Sequence, residues 1–184
     1  MSTLPRGMLV RPSLFPKRKV FISYHHANEQ AYCDWLRTNL SSELEIFTDR
    51  SLTEAIRSDD AEYVNRRIRE DYILGSSVTI VLCGSETYKR KYVDWEIYST
   101  LHHEHALLGL WLPTAARNTE NKILVPNRLY ENIESGYAIF EAWNPTIWAQ
   151  NHAVFTIMLE QAILASQNKS RIRNNTGKMQ RNAA

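Results

Sequence analysis

The sequence predicts an α/β domain of three layers, in which helices cover both faces of a parallel sheet. Short apolar runs rich in β-branched and aromatic residues alternate with amphipathic segments of about ten or more residues. This alternation is typical of right-handed β–α–β crossovers, which place their strands in parallel. The chain has 184 residues, enough for one domain with a core and too few for two of ordinary size.

The first half of the chain is predicted to contain strand 19–24, helix 29–40, strand 45–48 and helix 60–75. The first helix has Tyr32, Leu36 and Leu40 on one face, and Asn28 is its expected N-cap. Gly75 is placed to end the second helix. Both helices therefore offer an apolar face that can pack on a sheet.

The second half is predicted to contain strand 78–83, helix 93–105, strand 107–112, strand 137–143 and helix 147–165. Residues 78–83 are the most continuously apolar, as expected for a parallel strand buried on both faces. Residues 117–127 have the composition of a surface excursion. The predicted architecture is a flavodoxin-like sandwich with five strands.

The two ends of the chain are basic and the middle is acidic. Residues 1–19 carry five basic and no acidic side chains, and residues 169–184 carry the same numbers. Without those ten, 12 basic side chains stand against 20 acidic ones, a net charge of −8. We expect a basic N-terminal extension at 1–18, a folded domain at 19–168 and a basic, disordered tail at 169–184. The acidic body argues against a broad nucleic-acid-binding face, while the basic ends leave contact with an acidic partner open.

The sequence favours a cytoplasmic location. The longest apolar runs have about the length of a strand, so no membrane-spanning segment is expected. Residues 1–16 lack an unbroken apolar stretch and make a poor signal peptide. Cys33 and Cys83 fall in a predicted helix and at the end of a strand, which favours reduced thiols over a disulfide.

Common cofactor and metal motifs are missing from the sequence. Neither Gly-x-Gly-x-x-Gly nor Gly-x-x-x-x-Gly-Lys-Ser/Thr occurs, so no phosphate-binding loop of those kinds is expected. His102 and His105 have the i, i+3 spacing of a helical metal pair, but no third ligand is evident and no metal site is expected. His25 and His26 follow the first strand and are candidates for direct contact with a ligand at the crevice.

Glu96 is the residue whose position decides most about function. Ligands of open α/β sheets bind in the crevice beyond the carboxyl ends of the strands, and the helix after the third strand can carry a carboxylate there. Helical spacing places Glu96 on one face with Tyr92, Ser99 and His103. The adjacent apolar stripe, which can pack on the sheet, consists of Val93, Ile97 and Leu101. Spacing alone leaves open a carboxylate in the crevice or a surface glutamate paired with a nearby Lys or Arg.

Two motifs resemble those of Toll/interleukin-1 receptor (TIR) domains. Residues 19–24, Lys-Val-Phe-Ile-Ser-Tyr, resemble the opening strand of that family, and residues 92–97 resemble its Trp-Cys-x-x-Glu-Leu helix. The residues of these two motifs are most similar to those of the TIR-like proteins of bacterial Thoeris anti-phage defence. The resemblance covers about residues 19–165. Tyr92 and Val93 depart from the family pattern, because they stand in place of its tryptophan and cysteine.

The resemblance implies an enzyme that consumes NAD⁺ as its substrate and needs no cofactor. In such domains the glutamate at the place of Glu96 stabilises an oxocarbenium-like state as nicotinamide leaves. Thoeris-like members then let the adenine part of the same molecule capture the ribose, which gives a cyclic ADP-ribose isomer. That diffusible nucleotide is expected to activate a separate effector protein. Self-association is left open, and neither a membrane nor a specific nucleic acid is an expected partner.

Two alternatives to this enzyme remain. One is a non-catalytic TIR-type interaction module that assembles through its surfaces. The other is a flavodoxin-like or receiver-like domain, which fits the sites poorly because no acidic cluster follows the first strand and no FMN phosphate loop exists.

The predicted site lies at the ends of the first three strands, with Glu96 as the catalytic residue within reach of Tyr24 or His25. The residues expected to bind the substrate are Ser23, Tyr24, His25, His26, Asp49, Cys83, Gly84, Tyr92 and Trp95.

Overall fold

Five parallel strands form one sheet in the computed structural model, which describes residues 17–48 and 71–183. The strands are β1 (Arg18–Ser23), β2 (Leu44–Phe47), β3 (Val78–Cys83), β4 (Ala106–Trp111) and β5 (Ile139–Ala142). Their order is β2-β1-β3-β4-β5, so the predicted five-stranded parallel sheet is confirmed. The order reverses direction between β1 and β3, which is where open α/β sheets form a binding crevice.

Helices cover both faces of this sheet. They are α1 (His26–Asn39), α2 (Lys91–His102), α3 (Asn127–Glu134), α4 (Pro145–Gln150) and α5 (His152–Ser166). Alternation along β3 creates the layers, because Ile80 and Leu82 pack with α1 and α5 whereas Val81 and Cys83 pack with α2 and α3. Of the helix predicted at 60–75, the structure describes residues 71–75, and these are helical. No helix in the described ranges has the length and apolar character that crossing a bilayer requires.

The start of α1 differs from the prediction. The helix begins at His26 and its N-cap residue is His25, so Asn28 lies inside the first turn and does not cap it. The cap is made from within the helix, because the carboxylate of Glu29 accepts a hydrogen bond from the backbone N–H of His25 at 2.6 Å. This reach-back satisfies a donor that the helix itself leaves unpaired.

The second half of the chain contains a helix break and a helix that the sequence did not predict. Asn151 is extended and its side chain accepts from the N–H of Ala153, so the helix predicted at 147–165 is divided into α4 and α5. The unpredicted helix is α3, which follows Pro126. Its buried positions include Arg128. A search for periodic hydrophobic residues does not count an arginine as a buried position.

The segment expected to be a disordered tail is ordered and packs on the domain. A short 3-10 helix at Lys169–Arg171 leads into residues 172–183, which we call the C-terminal strap. Met179 accepts from the indole N–H of Trp95 at 2.7 Å, and the Asn182 side chain accepts from the backbone N–H of Lys91 at 3.0 Å. The strap therefore lies against α2 and reaches its amino end.

A buried ion pair anchors both the strap and α3 to α2. Arg128 is 2% exposed, and its Nε donates to Asp94 at 3.0 Å. Its Nη2 also donates to Asp94, at 3.4 Å, and both Nη atoms donate to the strap, at Asn174 Oδ1 and the carbonyls of Thr176 and Gly177. Asp94 in turn accepts from the backbone N–H of Met179 at 2.8 Å. The strap supplies the polar partners that this buried pair needs, and these hydrogen bonds hold the strap in place.

We expect Arg128→Ala to destabilise the protein by about 3–5 kcal/mol, because it leaves Asp94 buried without its cation. Chemical denaturation followed by far-UV circular dichroism measures the free energy of unfolding. Arg173→Ala is the matched control, since the side chain of that exposed arginine donates to the nearby carbonyls of Ser170 and Ile172. Equal stabilities for the two variants would contradict the role assigned to the buried pair.

Candidate active site

A buried hydrogen bond between β1 and α2 lies at the centre of the candidate site. Ser23 is the last residue of β1, and its hydroxyl donates to Glu96 Oε2 at 2.6 Å. Ser23 is fully buried and Glu96 is 5% exposed. The prediction that Glu96 faces the end of β1 is confirmed, and the alternative of a surface glutamate is wrong. Its catalytic role stays a prediction.

The position of Glu96 is fixed by how α2 packs. The predicted apolar stripe is buried against the sheet, as seen for Val93 and Ile97. Behind it, the hydroxyl of Thr100 donates to the backbone carbonyl of Glu96 at 2.8 Å and lies 2.7 Å from the hydroxyl of Thr79 on β3. This link between strand and helix holds the register of α2, and with it the direction of the Glu96 side chain.

A second buried carboxyl, Glu29, lies at the same end of the sheet and was not among the predicted site residues. It is fully buried one turn into α1. A signal for it exists in the sequence, because Glu29 continues the buried stripe of Cys33, Leu36 and Leu40 at intervals of four, three and four residues. An acidic residue on a buried helical stripe is unusual and marks either a structural pair or a site.

Burial has the largest effect on the pKa of Glu29. It raises the pKa of this carboxyl from 4.5 to about 7, against the opposing effects of the His25 N–H, the Thr87 hydroxyl and Arg90. The negative charge of Glu86 adds to the rise. A carboxyl that exchanges its proton near neutrality is therefore present at the carboxyl ends of β1 and β3.

His25 lies between this carboxyl and a surface ion pair. Burial and the charge of Arg90 lower the pKa of His25, while Glu86 opposes them. The Nδ1 atom is 3.9 Å from Glu86 Oε2 and has no hydrogen-bond partner within residues 17–48 and 71–183. Glu86 itself pairs with Arg90, one turn further along the chain. The lowered pKa favours a neutral imidazole whose Nδ1 atom is buried.

Cys83 and Gly84, at the end of β3, form part of the floor of the site in different ways. The thiol of Cys83 is fully buried in the core beside α2, and burial followed by the charge of Glu29 raises its pKa above the usual range. Gly84 has a packing role, because a Cβ there would lie 2.8 Å from Glu29 Cδ. The structure thus gives Gly84 a direct contact with Glu29 and places the Cys83 side chain away from the crevice.

Tyr24 and His26 form a small aromatic wall after β1. Their ring centroids are 4.3 Å apart, and the Tyr24 hydroxyl donates to Gln30 on α1 at 2.9 Å. Tyr24 is 4% exposed, so its ring belongs to the core as much as to the rim.

Tyr92 and Trp95 form a second aromatic pair at the amino end of α2. Their rings meet edge to face, with centroids 5.6 Å apart, and the Lys91 ammonium lies 4.8 Å from the centre of the Tyr92 ring. The Trp95 indole donates to the strap, as described above. This predicted site residue is therefore engaged by the chain's own C-terminal segment.

Two further predictions concern Asp49 and the absence of a metal site, and a separate groove lies at the β5 edge of the sheet. Asp49, predicted to bind the substrate, lies outside the described residues. Within the described residues no group of three or more His, Cys, Asp and Glu side chains is arranged to hold a metal ion. A groove of about 350 Å³ lies between β5, α4 and α5, and it is lined by none of the predicted site residues.

One family matches the chain. Residues 21–117, more than half of its length, match the family model for the TIR-like domain of the Thoeris protein ThsB. The matched segment includes Ser23, Glu29 and Glu96. No curated protein matches the chain.

Similar solved structures are distant. A 2-deoxyribosyltransferase from Bacillus psychrosaccharolyticus is 13% identical, with a TM-score of 0.43, and the match covers 55% of this chain and 77% of that one. The TIR domains of the activated Roq1 resistosome, which directly recognises the pathogen effector XopQ, are 9% identical with a TM-score of 0.42. That match covers 85% of this chain and 86% of the other. At these TM-scores neither neighbour bears on the function of the chain.

The raised pKa of Glu29 makes stability depend on pH. Between the ordinary pKa of 4.5 and the folded value of about 7, the folded chain holds a proton that the unfolded chain has lost, so stability falls as pH rises. We expect the wild type to lose up to about 3 kcal/mol more than Glu29→Gln between pH values of about 4.5 and 8. Thermal and urea unfolding across this range measures the difference.

Asp34→Asn is the control for that comparison, because Asp34 lies on the same helix and is exposed. Its pH dependence should run parallel to that of the wild type. Parallel curves for the wild type and Glu29→Gln would contradict the assigned protonation of Glu29.

Proposed function

This chain belongs to the family of Thoeris ThsB proteins with a TIR-like domain, and on that premise we propose that it is an NAD⁺-consuming enzyme of anti-phage defence. It breaks the glycosidic bond to nicotinamide and forms a cyclic ADP-ribose-type nucleotide in the cytoplasm. The nucleotide diffuses to a separate effector protein and activates it. NAD⁺ is the substrate in this scheme, and no further cofactor is needed.

The observation that carries the proposal is the buried Ser23–Glu96 hydrogen bond at the reversal of the strand order. A carboxylate that is 5% exposed interacts with a nearby positive charge far more strongly than one in water. The hydroxyl of Ser23 fixes one oxygen of Glu96, so the carboxylate needs little reorganisation when charge develops beside it. Preorganised charge of this kind is the usual source of large rate enhancements.

The chemistry makes use of a single negative group. As the C–N bond to nicotinamide breaks, its electron pair leaves with nicotinamide and positive charge develops on the ribose carbon and ring oxygen. Glu96 stabilises that charge without giving or taking a proton. Capture of the ribose carbon by the adenine part of the same molecule closes the ring, whereas capture by water gives linear ADP-ribose.

In this proposal the other predicted residues line the substrate site. The aromatic rings of Tyr24 and His26 on one side and of Tyr92 and Trp95 on the other offer flat surfaces for the nicotinamide and adenine rings. His25 follows β1 at the same end of the sheet, and its lowered pKa keeps the imidazole neutral, so it adds little charge there.

We expect Glu96→Gln to lower the rate of nicotinamide release by about 100-fold or more, because the amide cannot stabilise the developing cation. Ser23→Ala should lower it less, by about 10-fold, since Glu96 keeps its charge and loses a donor. Purified variants are incubated with NAD⁺, and nicotinamide and cyclic products are separated by chromatography. Glu134→Gln, an exposed change on α3, is the control and should match the wild type.

Unchanged turnover in Glu96→Gln would remove Glu96 from the catalytic role. The melting temperature with and without NAD⁺ separates the enzyme from the non-catalytic interaction module, because a ligand that binds only the folded state must raise it. A wild-type protein that releases no nicotinamide and shows no such rise would favour the interaction module.

A further inference from the structure

The exit of β1 is held by two carboxyls from two different helices. Ser23 ties this segment to Glu96 on α2 through its hydroxyl. Two residues later, the backbone N–H of His25 ties it to Glu29 on α1, at 2.6 Å. Three consecutive residues therefore connect the proposed catalytic carboxylate with a second buried carboxyl. A movement of His25 is transmitted to Ser23 through only one intervening residue.

The surroundings of Glu29 leave part of its carboxyl unsatisfied. Oε2 accepts from His25, but Oε1 has no hydrogen-bond partner among residues 17–48 and 71–183. It faces the backbone of Gly84, where the absence of a side chain makes room for it. The nearby hydroxyl of Thr87 is already committed, because it donates to the carbonyl of Leu82 and accepts from the N–H of Gly84. A carboxyl that only capped α1 would need neither this burial nor the space at Gly84.

Two opposing charges act on Glu29, and both lie at or before the amino end of α2. Arg90, at the amino end of α2, favours the ionised form, whereas Glu86, before the same helix, disfavours it. The thiol of Cys83 on β3 is neutral, since burial raises its pKa above the usual range. His25, the N-cap residue of α1, donates to Glu29 through its backbone N–H, and burial lowers the pKa of its side chain. These effects leave burial as the dominant influence, so Glu29 exchanges its proton near neutral pH.

We propose that Glu29 is a positioning residue for the NAD⁺ reaction, which holds the exit of β1, and through Ser23 the carboxylate of Glu96, in the working geometry when it is ionised. This inference rests on the function proposed above and adds a residue that regulates the geometry of the same site. The ionised form makes a charge-assisted hydrogen bond to the His25 N–H, which is about twice as strong as a neutral one. The protonated form holds His25 less firmly and places an O–H against Gly84.

The first test is the pH profile of nicotinamide release. We expect the wild-type kcat to rise several-fold as pH increases through about 7, the value at which Glu29 loses its proton. Glu29→Gln keeps an oxygen acceptor for His25 and lacks the titration, so its profile should be flat through that range. Asp34→Asn, which removes an exposed charge from the same helix, should keep the wild-type profile. An unchanged inflection in Glu29→Gln would overturn the proposal.

A second measurement is independent of turnover. The amide resonances of Ser23 and His25 in a ¹⁵N-labelled protein should shift with an inflection near pH 7 in the wild type and in Glu96→Gln. The inflection should vanish in Glu29→Gln, because the group that titrates against the His25 N–H is then gone. Absence of a shift at His25 in the wild type would overturn the proposal even in an inactive preparation.

Gly84→Ala perturbs the same contact from the opposite side. It leaves the carboxyl in the chain but displaces it, since the new Cβ would lie 2.8 Å from Cδ and 3.0 Å from Cγ of Glu29. We expect Gly84→Ala to lower activity about 10-fold, and to lower it no further when added to Glu29→Ala, which removes the overlapping atoms. Equal losses from Gly84→Ala in both backgrounds would show that the contact with Glu29 is not the cause.

The outcomes separate the two proposals. If Glu96→Gln abolishes turnover while Glu29→Gln retains the wild-type pH profile, the proposed function holds and the role of Glu29 fails. If the wild type releases no nicotinamide under any condition while the His25 amide titrates through Glu29, the catalytic proposal fails and the local coupling at the exit of β1 is retained.

Discussion

Burying a carboxyl group away from water is costly, and residues 17–48 and 71–183 bury three of them around α2 and the start of α1. Each accepts a hydrogen bond from a different kind of donor. Asp94 has a full counter-ion in Arg128, Glu96 has the hydroxyl of Ser23, and Glu29 has the backbone N–H of His25. The carboxylate paired with the arginine is structural, and the other two carboxyl groups lie at the crevice.

The strands and the buried stripe of α2 were predictable from local pattern, whereas the exact helix ends and the parts of the fold that depend on distant partners were not. Continuous apolar runs predicted β3 to the residue, and the spacing of Val93 and Ile97 placed Glu96 beside a buried stripe. No local pattern reveals that Arg128 is buried, because an arginine enters the core only when Asp94 and the strap carbonyls are already there. The order of the strap follows from the same long-range set of contacts.

The candidate site shows the same division. The end of β1 and the helix with Glu96 were predictable, since motif order and strand topology bring them together. The inward direction of Glu29 does not follow from its charge, because an acidic residue in the first helical turn commonly lies at the surface, where it interacts favourably with the helix dipole. Burial of its neighbours Cys33 and Leu36 shows that this helical face points to the sheet. The position of Glu29 in this stripe is therefore a better guide to its burial than its charge.

The strap also bears on how the protein is handled in the laboratory. The backbone N–H of Ala183 donates to the carbonyl of Lys89, and Asn182 contacts the amino end of α2. A bulky label attached at Asn182 or Ala183 would therefore lie against the amino end of α2, the helix that carries Tyr92 and Trp95. It would disturb the contacts by which the strap holds that helix, so the position of a label on the strap is itself a perturbation of α2.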